Sequence, residues 1–416
     1  MAGTMAQGPD LSVHEINFRS PAFTQNPYPA YALLRDEAPL LYRDDWKMVF
    51  LARYEDVNTL LRDRRLGRQF DHVMGREEVG LPPVPEAHAP FHRLNDNILM
   101  DKEPPEHTRL KSLVQKAFTP RTVQRLQPRI RAIAGDLAAG LHARGGGDLL
   151  EAFAVPLSVT VIGDLLGVPA ADRQRLRPWS ADIVAMYELG GSQSERIARK
   201  ALRAVTEFSA YLEGLIAQRR HDAQDDLLSA LVAAEESGDR LSQEELIATC
   251  ILLLNAGHEA TVNAVGNGML ALLRHPEQLS LLRKNPHLLS GAVEEILRYD
   301  TPLPFFHRWV LEDMTYHDVP FRKGTKVGFL LASANRDPVR FANPDALDIT
   351  RRANPHLGFG VGVHYCLGAP LARAELKITL ETLLYELSTI ELAIRQPAYR
   401  PTFVFRGLEA LPVRVT

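Results

Sequence analysis

The sequence has 416 residues, 45% of them hydrophobic and 24% charged, with a net charge of −3. This is the composition of a well-packed globular protein. The near-neutral charge argues against nucleic acid as the main partner, because phosphate binding needs a concentrated basic face. No run of apolar residues approaches the length that a bilayer requires, so we expect no membrane association.

The first ten residues carry neither the charged nor the apolar part of a secretory signal peptide, and we predict that they are disordered. The two cysteines, Cys250 and Cys366, provide no disulfide framework. These features favour a cytoplasmic protein. Because the chain has no linker-like segment, internal repeat or long charge run, we predict a single domain over residues 1–416.

The predicted elements are mainly helices, with a small β part. In chain order, the patterns first predict a helix from Asn26 to Ala38, a strand from Met48 to Ala52, and a helix that Thr119 caps and Pro120 opens. A long helix follows from the capping box of Ser242 and Glu245 to about Arg274, and another helix covers Leu288–Tyr299. The remaining predictions are strand-like pieces over Val310–Leu331 that Pro320 and Gly324 interrupt, a helix over Ala369–Leu387, and strands with a turn over Phe403–Val415.

The segment from Gly67 to Met100 has four prolines, three histidines and little periodicity. A long unstructured segment inside a compact domain is usually functional or mobile. It is either a disordered surface insertion or, as we favour, a loop that gates access of a substrate.

Glycines surround Cys366: Gly360 and Gly362 precede it and Gly368 follows it. Glycine lets the backbone turn tightly and leaves room for a flat ligand beside the sulfur. A helix is predicted to begin at Ala369, and the N–H groups at its N-terminus favour a thiolate. A thiolate is the ligand with which haem iron favours O–O cleavage.

Two other interpretations of this cysteine stay open at this point. A lone cysteine in an apolar setting is most often an inert core residue, which is what we expect of Cys250 inside the long helix. A hydrolase with a cysteine nucleophile is a third interpretation, but it does not explain the three glycines.

The segment from Phe359 to Gly368 resembles the haem-binding signature of cytochromes P450, Phe-x-x-Gly-x-x-x-Cys-x-Gly, at every fixed position. The resemblance implies the mainly α cytochrome P450 fold with a small β part, and haem b between the long central helix and the cysteine-ligand helix. It also implies that Cys366 ligates the iron, that Phe359 shields the thiolate and that Gly368 contacts the cofactor. His364 is then a partner of a haem propionate.

Further motifs extend the resemblance from about Asn26 to the C-terminus. Glu295 and Arg298 match the family's Glu-x-x-Arg motif, whose buried ion network holds the proximal core. Residues 335–338, Asn-Arg-Asp-Pro, match a downstream stretch of the bacterial members.

Three other residues match positions that contact the haem propionates: His107, Lys111 and Arg308. His107 and Lys111 share one face of a helix. Lys111 stands where arginine is usual, and lysine keeps the charge but lacks the bidentate fork.

The long helix carries Ala-Gly-His-Glu-Ala-Thr at residues 256–261. Glycine in mid-helix costs about 1 kcal/mol relative to alanine, and the resemblance implies that the helix loosens there to form a groove for dioxygen. Glu259 occupies the position of the proton-delivering acid. The threonine that usually follows is Ala260 here, and Thr261 comes one residue later, rotated by about 100°.

Three readings of this departure remain. Ordered water carries the proton, which we favour; or Thr261 helps indirectly by bonding a helix carbonyl; or coupling is poor. Glu259 and Thr261 are therefore the catalytic candidates, and His258 is expected to point away from the iron.

The candidate substrate pocket consists of mostly apolar positions, which imply an apolar or partly apolar organic substrate. Core packing explains the same residues equally well. The candidates are Leu253, Ala256, Ala260, Leu303, Phe305, Phe306 and Val404.

The sequence has no flavin or nicotinamide fingerprint, so electrons are expected from a separate ferredoxin and ferredoxin reductase. A basic stretch after the predicted propionate helix is either their docking surface or an ordinary solvated helix face. Its residues are Lys111, Lys116, Arg121, Arg125, Arg129 and Arg131.

The predicted function is a haem-thiolate monooxygenase that hydroxylates or epoxidises its substrate with one oxygen atom from O2. The alternatives are a haem-thiolate peroxygenase and a non-enzymatic haem gas sensor. The resemblance implies that peroxide-using members of the family carry arginine and proline at the positions of the acid and the alcohol, and this chain has Glu259 and Ala260 there. A sensor needs no proton-delivering acid, so Glu259 argues against it.

Overall fold

The computed structural model describes residues 12–188, 194–236 and 238–416, so the predicted disorder of the first ten residues lies outside the described part. Within that part, most residues are helical, as predicted. The helices are α1 (Pro21–Gln25), α2 (Tyr28–Glu37), α3 (Tyr54–Leu60), α4 (Ala89–Asn95), α5 (Glu106–Ala117), α6 (Pro120–Ala143), α7 (Val155–Leu165), α8 (Leu176–Val184), α9 (Glu195–His221), α10 (Leu227–Ala233), α11 (Gln243–Arg274), α12 (Pro276–Lys284), α13 (Leu289–Tyr299), α14 (Leu331–Ala334) and α15 (Ala369–Tyr385). Among the described helices, none combines the length and hydropathy of a membrane span.

The strands are short and contribute the small β part. They are β1 (Leu40–Arg43), β2 (Met48–Leu51), β3 (Leu66–Gly67), β4 (Gly146–Asp148), β5 (Glu235–Glu236), β6 (Asp239–Arg240), β7 (Phe305–Val310), β8 (Met314–Tyr316), β9 (Val319–Phe321), β10 (Lys326–Leu330), β11 (Ile390–Leu392) and β12 (Pro412–Val415). A five-stranded sheet has the order β1-β2-β10-β7-β3, a second sheet has the order β11-β12-β4, and two hairpins complete the set.

The central helix α11 begins and ends where the sequence predicts. The Ser242 hydroxyl accepts a hydrogen bond from the Glu245 N–H, and the Glu245 carboxylate accepts one from the Ser242 N–H at 2.8 Å. From Thr261 to Leu272 every residue is buried, as expected of a helix surrounded by others. Helices α7, α8, α13 and α15 pack against it.

Strand β7 places successive side chains on opposite faces of the five-stranded sheet. Phe306 and Arg308 share one face, where the guanidinium of Arg308 lies 5.4 Å from the centre of the Phe306 ring. Phe305 and His307 share the other, with their rings stacked 6.3 Å apart. Phe305 is 1% exposed and packs in an aromatic core whose Phe403 ring lies 4.8 Å away.

The structure corrects the prediction that the segment from Gly67 to Met100 has no regular structure. Helix α4 lies within it, flanked by 3-10 turns at Glu86–His88 and Leu99–Asp101. Phe91 and Leu94 of α4 are buried in the main core. The prolines obscure this helix in the sequence because Pro90 sits in its first turn, where proline is tolerated.

The C-terminal strands predicted over Phe403–Val415 are also wrong in part, because only Pro412–Val415 form a strand there. The carboxylate of Glu188 accepts hydrogen bonds from the N–H groups of residues 403, 404 and 405. These donors would otherwise be available to a strand ladder. Upstream, Pro320 lies inside β9 rather than interrupting it, since β9 pairs with β8 alone and proline is tolerated in such an edge strand.

Candidate active site

The loop before α15 turns at two glycines with positive φ. Gly360 has φ 65° and Gly362 has φ 74°, a region that favours glycine. A Cβ on Gly362 would also lie 3.1 Å from the carbonyl oxygen of Leu61. The Cys366 N–H donates to the Phe359 carbonyl at 3.0 Å and closes the loop. The tight turn predicted around the cysteine is confirmed.

The sulfur of Cys366 lies at the N-terminus of α15, where backbone donors reach it. Burial raises the pKa of the Cys366 thiol, and hydrogen bonds from the N–H groups of Gly368 and Ala369 act in the opposite direction, as do the charges of Arg373 and Lys111. A Cβ on Gly368 would lie 3.9 Å from this sulfur, an ordinary contact distance, so the packing of the protein chain itself does not require glycine there. The arrangement favours a thiolate once a cation is bound to it.

Cys250 lies inside α11, whereas Cys366 precedes the N-terminus of a helix. It is fully buried in α11, and burial raises the pKa of its thiol to about 12. It is therefore the inert core cysteine that the sequence predicts.

Phe359 contacts Arg373, which belongs to a network of charged and polar side chains that the sequence did not predict. The guanidinium of Arg373 lies 4.5 Å from the Phe359 ring centre. Its Nε and Nη2 donate to the carboxylate of Glu294 at 2.7 and 2.9 Å. The Nη1 of Arg373 donates to the hydroxyl of Tyr365 at 3.1 Å, and the Nε2 of His356 lies 3.1 Å from Glu294.

Arg308, His364 and His107, which the sequence predicts as propionate contacts, lie together. The rings of His107 and His364 are 4.4 Å apart. Burial, together with the neighbouring charges of His364 and Lys111, lowers the pKa of His107 to about 4. Arg308 is 4% exposed, and burial lowers its pKa to about 9.

Four further polar residues join this cluster. The guanidinium of Arg68 donates to Asp101 at 2.9 Å and approaches Nδ1 of His307 at 3.5 Å. The backbone N–H of Arg68 donates to Glu103 at 2.5 Å, and Glu103 lies 3.5 Å from Nε2 of His364. No spacing in the sequence indicates these partners, because the segments that supply them are far apart along the chain.

Lys111 lies beside the cysteine loop. Its ammonium donates to the carbonyl of Val363 at 2.5 Å and approaches that of Tyr365 at 3.5 Å. Burial lowers its pKa, while the charge of Cys366 raises it. In this arrangement, Lys111 contacts the ligand loop rather than standing free to bind a carboxylate.

Several of these features fit a haem. Arg308 is buried without an ion-pair partner among the described residues, and the carboxylates of a haem would supply one. Nε2 of His364 is buried and makes no well-formed hydrogen bond within the described part of the chain, since its nearest carboxylate, that of Glu103, lies 3.5 Å away. Ala256 is exposed although it lies in the central helix. Cys366, with N–H donors on its sulfur, is suited to hold the iron.

The open face of α11 carries the predicted pocket residues of that helix. Leu253, Gly257 and Ala260 are partly exposed and share a face with Ala256, since they recur at helical spacing. The helix is continuous through this region, so the predicted loosening is not observed. The glycine has a packing reason instead, because a Cβ on Gly257 would lie 2.5 Å from the Cδ1 of Ile162.

Glu259 has a partner that the sequence did not predict. Its Oε1 lies 2.6 Å from Nη1 of Arg400, in the C-terminal loop. Arg400 also donates to the side-chain oxygen of Asn263, one turn further along α11. Thr261 and His258 are 5% and 3% exposed. The burial of His258 agrees with a packing role.

The remaining pocket candidates are placed in two different environments. Phe305 is a core residue in this structure. Leu303 and Phe306 are partly exposed, and the guanidinium groups of Arg68 and Arg308 lie 5.1 and 5.4 Å from the centre of the Phe306 ring. Val404 is partly exposed in the loop that Glu188 holds, and it packs against the aromatic core.

A separate cleft of about 430 Å³ lies at the edge of the five-stranded sheet, and none of the predicted pocket residues lines it. Residues 78–81 form one of its walls, so part of the segment predicted as a gating loop borders this cleft.

The Glu-x-x-Arg motif is buried, as the resemblance implies. Glu295 and Arg298 have fully buried side chains joined by two hydrogen bonds of 2.8 Å. Arg351 and Asn354 also bond to Glu295 at 3.1 and 3.0 Å. Arg298 donates to the carbonyl of Asn335. The pair therefore anchors the segment that leads into the cysteine loop.

Comparison with known proteins agrees with this geometry. The sequence model of the cytochrome P450 family matches residues 180–402. The chain is 43% identical to a vitamin D(3) 25-hydroxylase of Pseudonocardia autotrophica over 403 residues, covering 95% of each protein. It is 38% identical to the polyketide biosynthesis cytochrome P450 PksS of Bacillus subtilis, covering 95% of this chain and 97% of that one.

A solved structure of P450BioI, in complex with an acyl carrier protein ligated to hexadec-9Z-enoic acid, superposes with a TM-score of 0.88 at 37% identity. The match covers 95% of this chain and 99% of that one. Because relatives of this similarity span nearly the whole sequence, the chain belongs to the cytochrome P450 family and is a monooxygenase with haem b as its cofactor.

Proposed function

We propose that this monooxygenase inserts one oxygen atom from O2 into an apolar or partly apolar organic molecule, by hydroxylation or epoxidation. Its electrons come from a separate ferredoxin and ferredoxin reductase. The chain acts as a single domain in the cytoplasm, and Cys366 is the residue that would hold the haem iron. The observation that carries the proposal is the position of Cys366 just before the N-terminus of α15, in a loop that turns at Gly360 and Gly362 and is closed by the bond from the Cys366 N–H to the Phe359 carbonyl.

The haem, when bound, supplies the activation of O2, and the surrounding residues hold it and manage protons. Cys366 would hold the iron, and Phe359 and Gly368 would lie beside it. Arg308, His107 and His364 supply positive charge or hydrogen-bond donors for the propionates. Lys111 supports the loop that carries Cys366, through its bonds to the loop carbonyls.

Protons enter from the side of the central helix. Glu259 is the acid of this site, and Arg400 holds its carboxylate. Because Ala260 has no hydroxyl, ordered water beside Ala260 passes the proton onward from Glu259. Thr261 is buried and lies about 100° around the helix from Ala260, so it acts at most indirectly.

The substrate contacts the open face of α11 and the C-terminal loop. Leu253, Ala256, Ala260 and Val404 provide partly exposed apolar surface there, which supports an apolar or partly apolar substrate. The relatives that carry substrate names, such as the vitamin D(3) 25-hydroxylase, differ among themselves and do not select one compound class.

The first test is spectroscopic. The carbon monoxide complex of the reduced protein is expected to show the red-shifted Soret band of a thiolate ligand. Cys366→Ser should abolish that band, and Cys250→Ala, the matched control in the same chain, should retain it. A thiolate band that survives in the Cys366→Ser protein would reject the assignment.

The second measurement separates monooxygenase from the other haem functions. With a surrogate ferredoxin, its reductase and a compound that shifts the spin state, NADPH consumption should yield a product containing one oxygen-18 atom from labelled O2. Turnover only with hydrogen peroxide would indicate a peroxygenase. Binding of carbon monoxide without turnover of any spin-shifting compound would indicate a sensor.

A further inference from the structure

Arg373 and Glu294 form an ion pair between α15 and α13, next to the cysteine loop. Two nitrogens of the guanidinium face two oxygens of the carboxylate, which is the bidentate geometry of a strong charge-assisted pair. Burial alone would raise the pKa of Glu294, but hydrogen bonds from His356 and Arg373 together lower it to about 2. Glu294 is therefore an anion at any physiological pH.

The third contact of Arg373 is directed at the loop that carries Cys366. Its Nη1 donates to the hydroxyl of Tyr365, the residue immediately before the cysteine, at 3.1 Å. Its guanidinium carbon lies 4.5 Å from the centre of the Phe359 ring. The Phe359 carbonyl in turn accepts the N–H of Cys366. One cation thus contacts both the residue that precedes Cys366 and the residue whose carbonyl accepts the Cys366 N–H.

A surface ion pair usually contributes little to stability. This pair is only partly exposed, at 37% for the side chain of Arg373 and 28% for that of Glu294. Charges in such a setting are screened less by solvent than fully exposed ones, so they act on a neighbouring redox centre. A nearby cation favours the reduced state of the centre, because reduction adds negative charge, and a nearby anion opposes it.

We propose that Arg373 and Glu294 are a pair of positioning residues that set the reduction potential of the iron bound to Cys366. Arg373 stabilises the thiolate through its contacts with Phe359 and Tyr365 and raises the potential. Glu294 holds Arg373 in place and offsets part of its charge. The inference rests on the proposed function only in taking Cys366 as the axial ligand.

The test is a potentiometric titration of four haem-loaded variants, with the oxidation state followed at the Soret band. Arg373→Gln removes the cation and is expected to shift the midpoint potential to more negative values. Glu294→Gln removes the anion and is expected to shift it to more positive values. Arg373→Lys keeps the charge and should retain at least half of the difference between wild type and Arg373→Gln.

The fourth variant, Arg373→Gln combined with Glu294→Gln, removes no net charge and should return toward the wild-type potential. Arg203→Gln is the matched control for net charge, because Arg203 makes an exposed ion pair with Glu207 on α9. It should leave the potential unchanged.

Opposite shifts from the two single variants separate an electrostatic role from structural damage, which would move both in the same direction. Shifts of the same sign, or no shift in either, would overturn the proposal. If Arg373→Gln alone loses the thiolate band of the carbon monoxide complex, the midpoint potentials of Glu294→Gln and Arg373→Lys still test the proposal, because both variants keep a cation at position 373. A wild-type protein without that band would instead reject Cys366 as the ligand, whatever the variants do.

Discussion

In the proposed mechanism, proton delivery depends on Glu259. Its carboxylate lies 2.6 Å from the guanidinium of Arg400, and its side chain is 14% exposed. Its neighbour Ala260 offers no hydroxyl, and Thr261 points into the packed side of α11. In the proposed route, a single acid and ordered water therefore deliver the proton without a neighbouring alcohol.

We expect Glu259→Gln to lower turnover roughly 100-fold, because a positioned acid contributes about 10²- to 10⁴-fold to such proton transfers. Thr261→Ala should change turnover by less than about threefold, since its side chain is buried away from Ala260. The measurement is the rate of product formation at saturating substrate, with released hydrogen peroxide counted per NADPH.

Glu244→Gln provides the control for this comparison. Glu244 is an exposed acid in the first turn of the same helix, and its loss should leave turnover unchanged. Equal losses from Glu259→Gln and Thr261→Ala would show that the proton route does not run through Glu259.

At the scale of elements, the contact between α7 and α15 contains a carboxyl that the proposed chemistry does not use. Glu375 is 1% exposed, and its only hydrogen bond among the described residues is the 2.8 Å bond from the hydroxyl of Ser158. Burial raises its pKa from 4.5 to about 7, and the bond from Ser158 opposes that rise only in part. The folded protein therefore holds this carboxyl in its neutral form at mildly acidic pH.

The stability of the protein should depend on pH through this group. As pH rises from 4.5 to about 7, the unfolded chain releases the proton before the folded protein does. The contribution of Glu375 to the free energy of unfolding is therefore greatest below pH 4.5, and it falls by about 3 kcal/mol in total as the pH rises to about 7. Glu375→Gln, which stays neutral, should be more stable than wild type by about that amount at pH 8 and by less than about 1 kcal/mol at pH 5.

Urea unfolding of the haem-loaded proteins at the two pH values measures this difference. Glu381→Gln, on the same helix but partly exposed and paired with Arg131, should not show it. A Glu375→Gln protein that is less stable than wild type at pH 8 would contradict the explanation.

At the scale of the whole molecule, the basic stretch along α5 and α6 is less positive than its sequence indicates. Arg125, Arg129 and Arg131 are ion-paired with Asp225, Asp164 and Glu381 respectively. Arg121 is exposed and makes no ion pair with the described part of the chain. Only part of the stretch can attract an acidic ferredoxin.

Two variants should change the rate of reduction by a ferredoxin in opposite directions. Arg121→Gln should slow it about twofold to fivefold at low ionic strength, and Asp225→Asn, which frees Arg125, should accelerate it to a similar extent. Both effects should disappear in high salt. Stopped-flow reduction under carbon monoxide measures the rate, and a slower Asp225→Asn protein would exclude α6 from the docking surface.

Local patterns in the sequence predicted much of the site and of the helical fold. The glycines around Cys366, the capping box of α11 and the Glu295–Arg298 pair all depend on residues within about ten positions of one another. Backbone conformation and helix periodicity act over that range, so these features can be predicted without the fold.

Other features depend on contacts between segments far apart in the sequence. Arg68 bonds to Asp101 and lies close to His307, and Arg400 forms an ion pair with Glu259. Glu188 accepts hydrogen bonds from N–H groups of the segment that was predicted to begin the C-terminal strands. No periodicity links such residues, because packing of whole elements brings them together.

The sequence by itself therefore determined the family, the cofactor and the mainly α architecture, since short-range motifs carry them. Only the tertiary structure decided which charges surround the thiolate and the distal acid, because a charge acts through space on whatever folding places beside it.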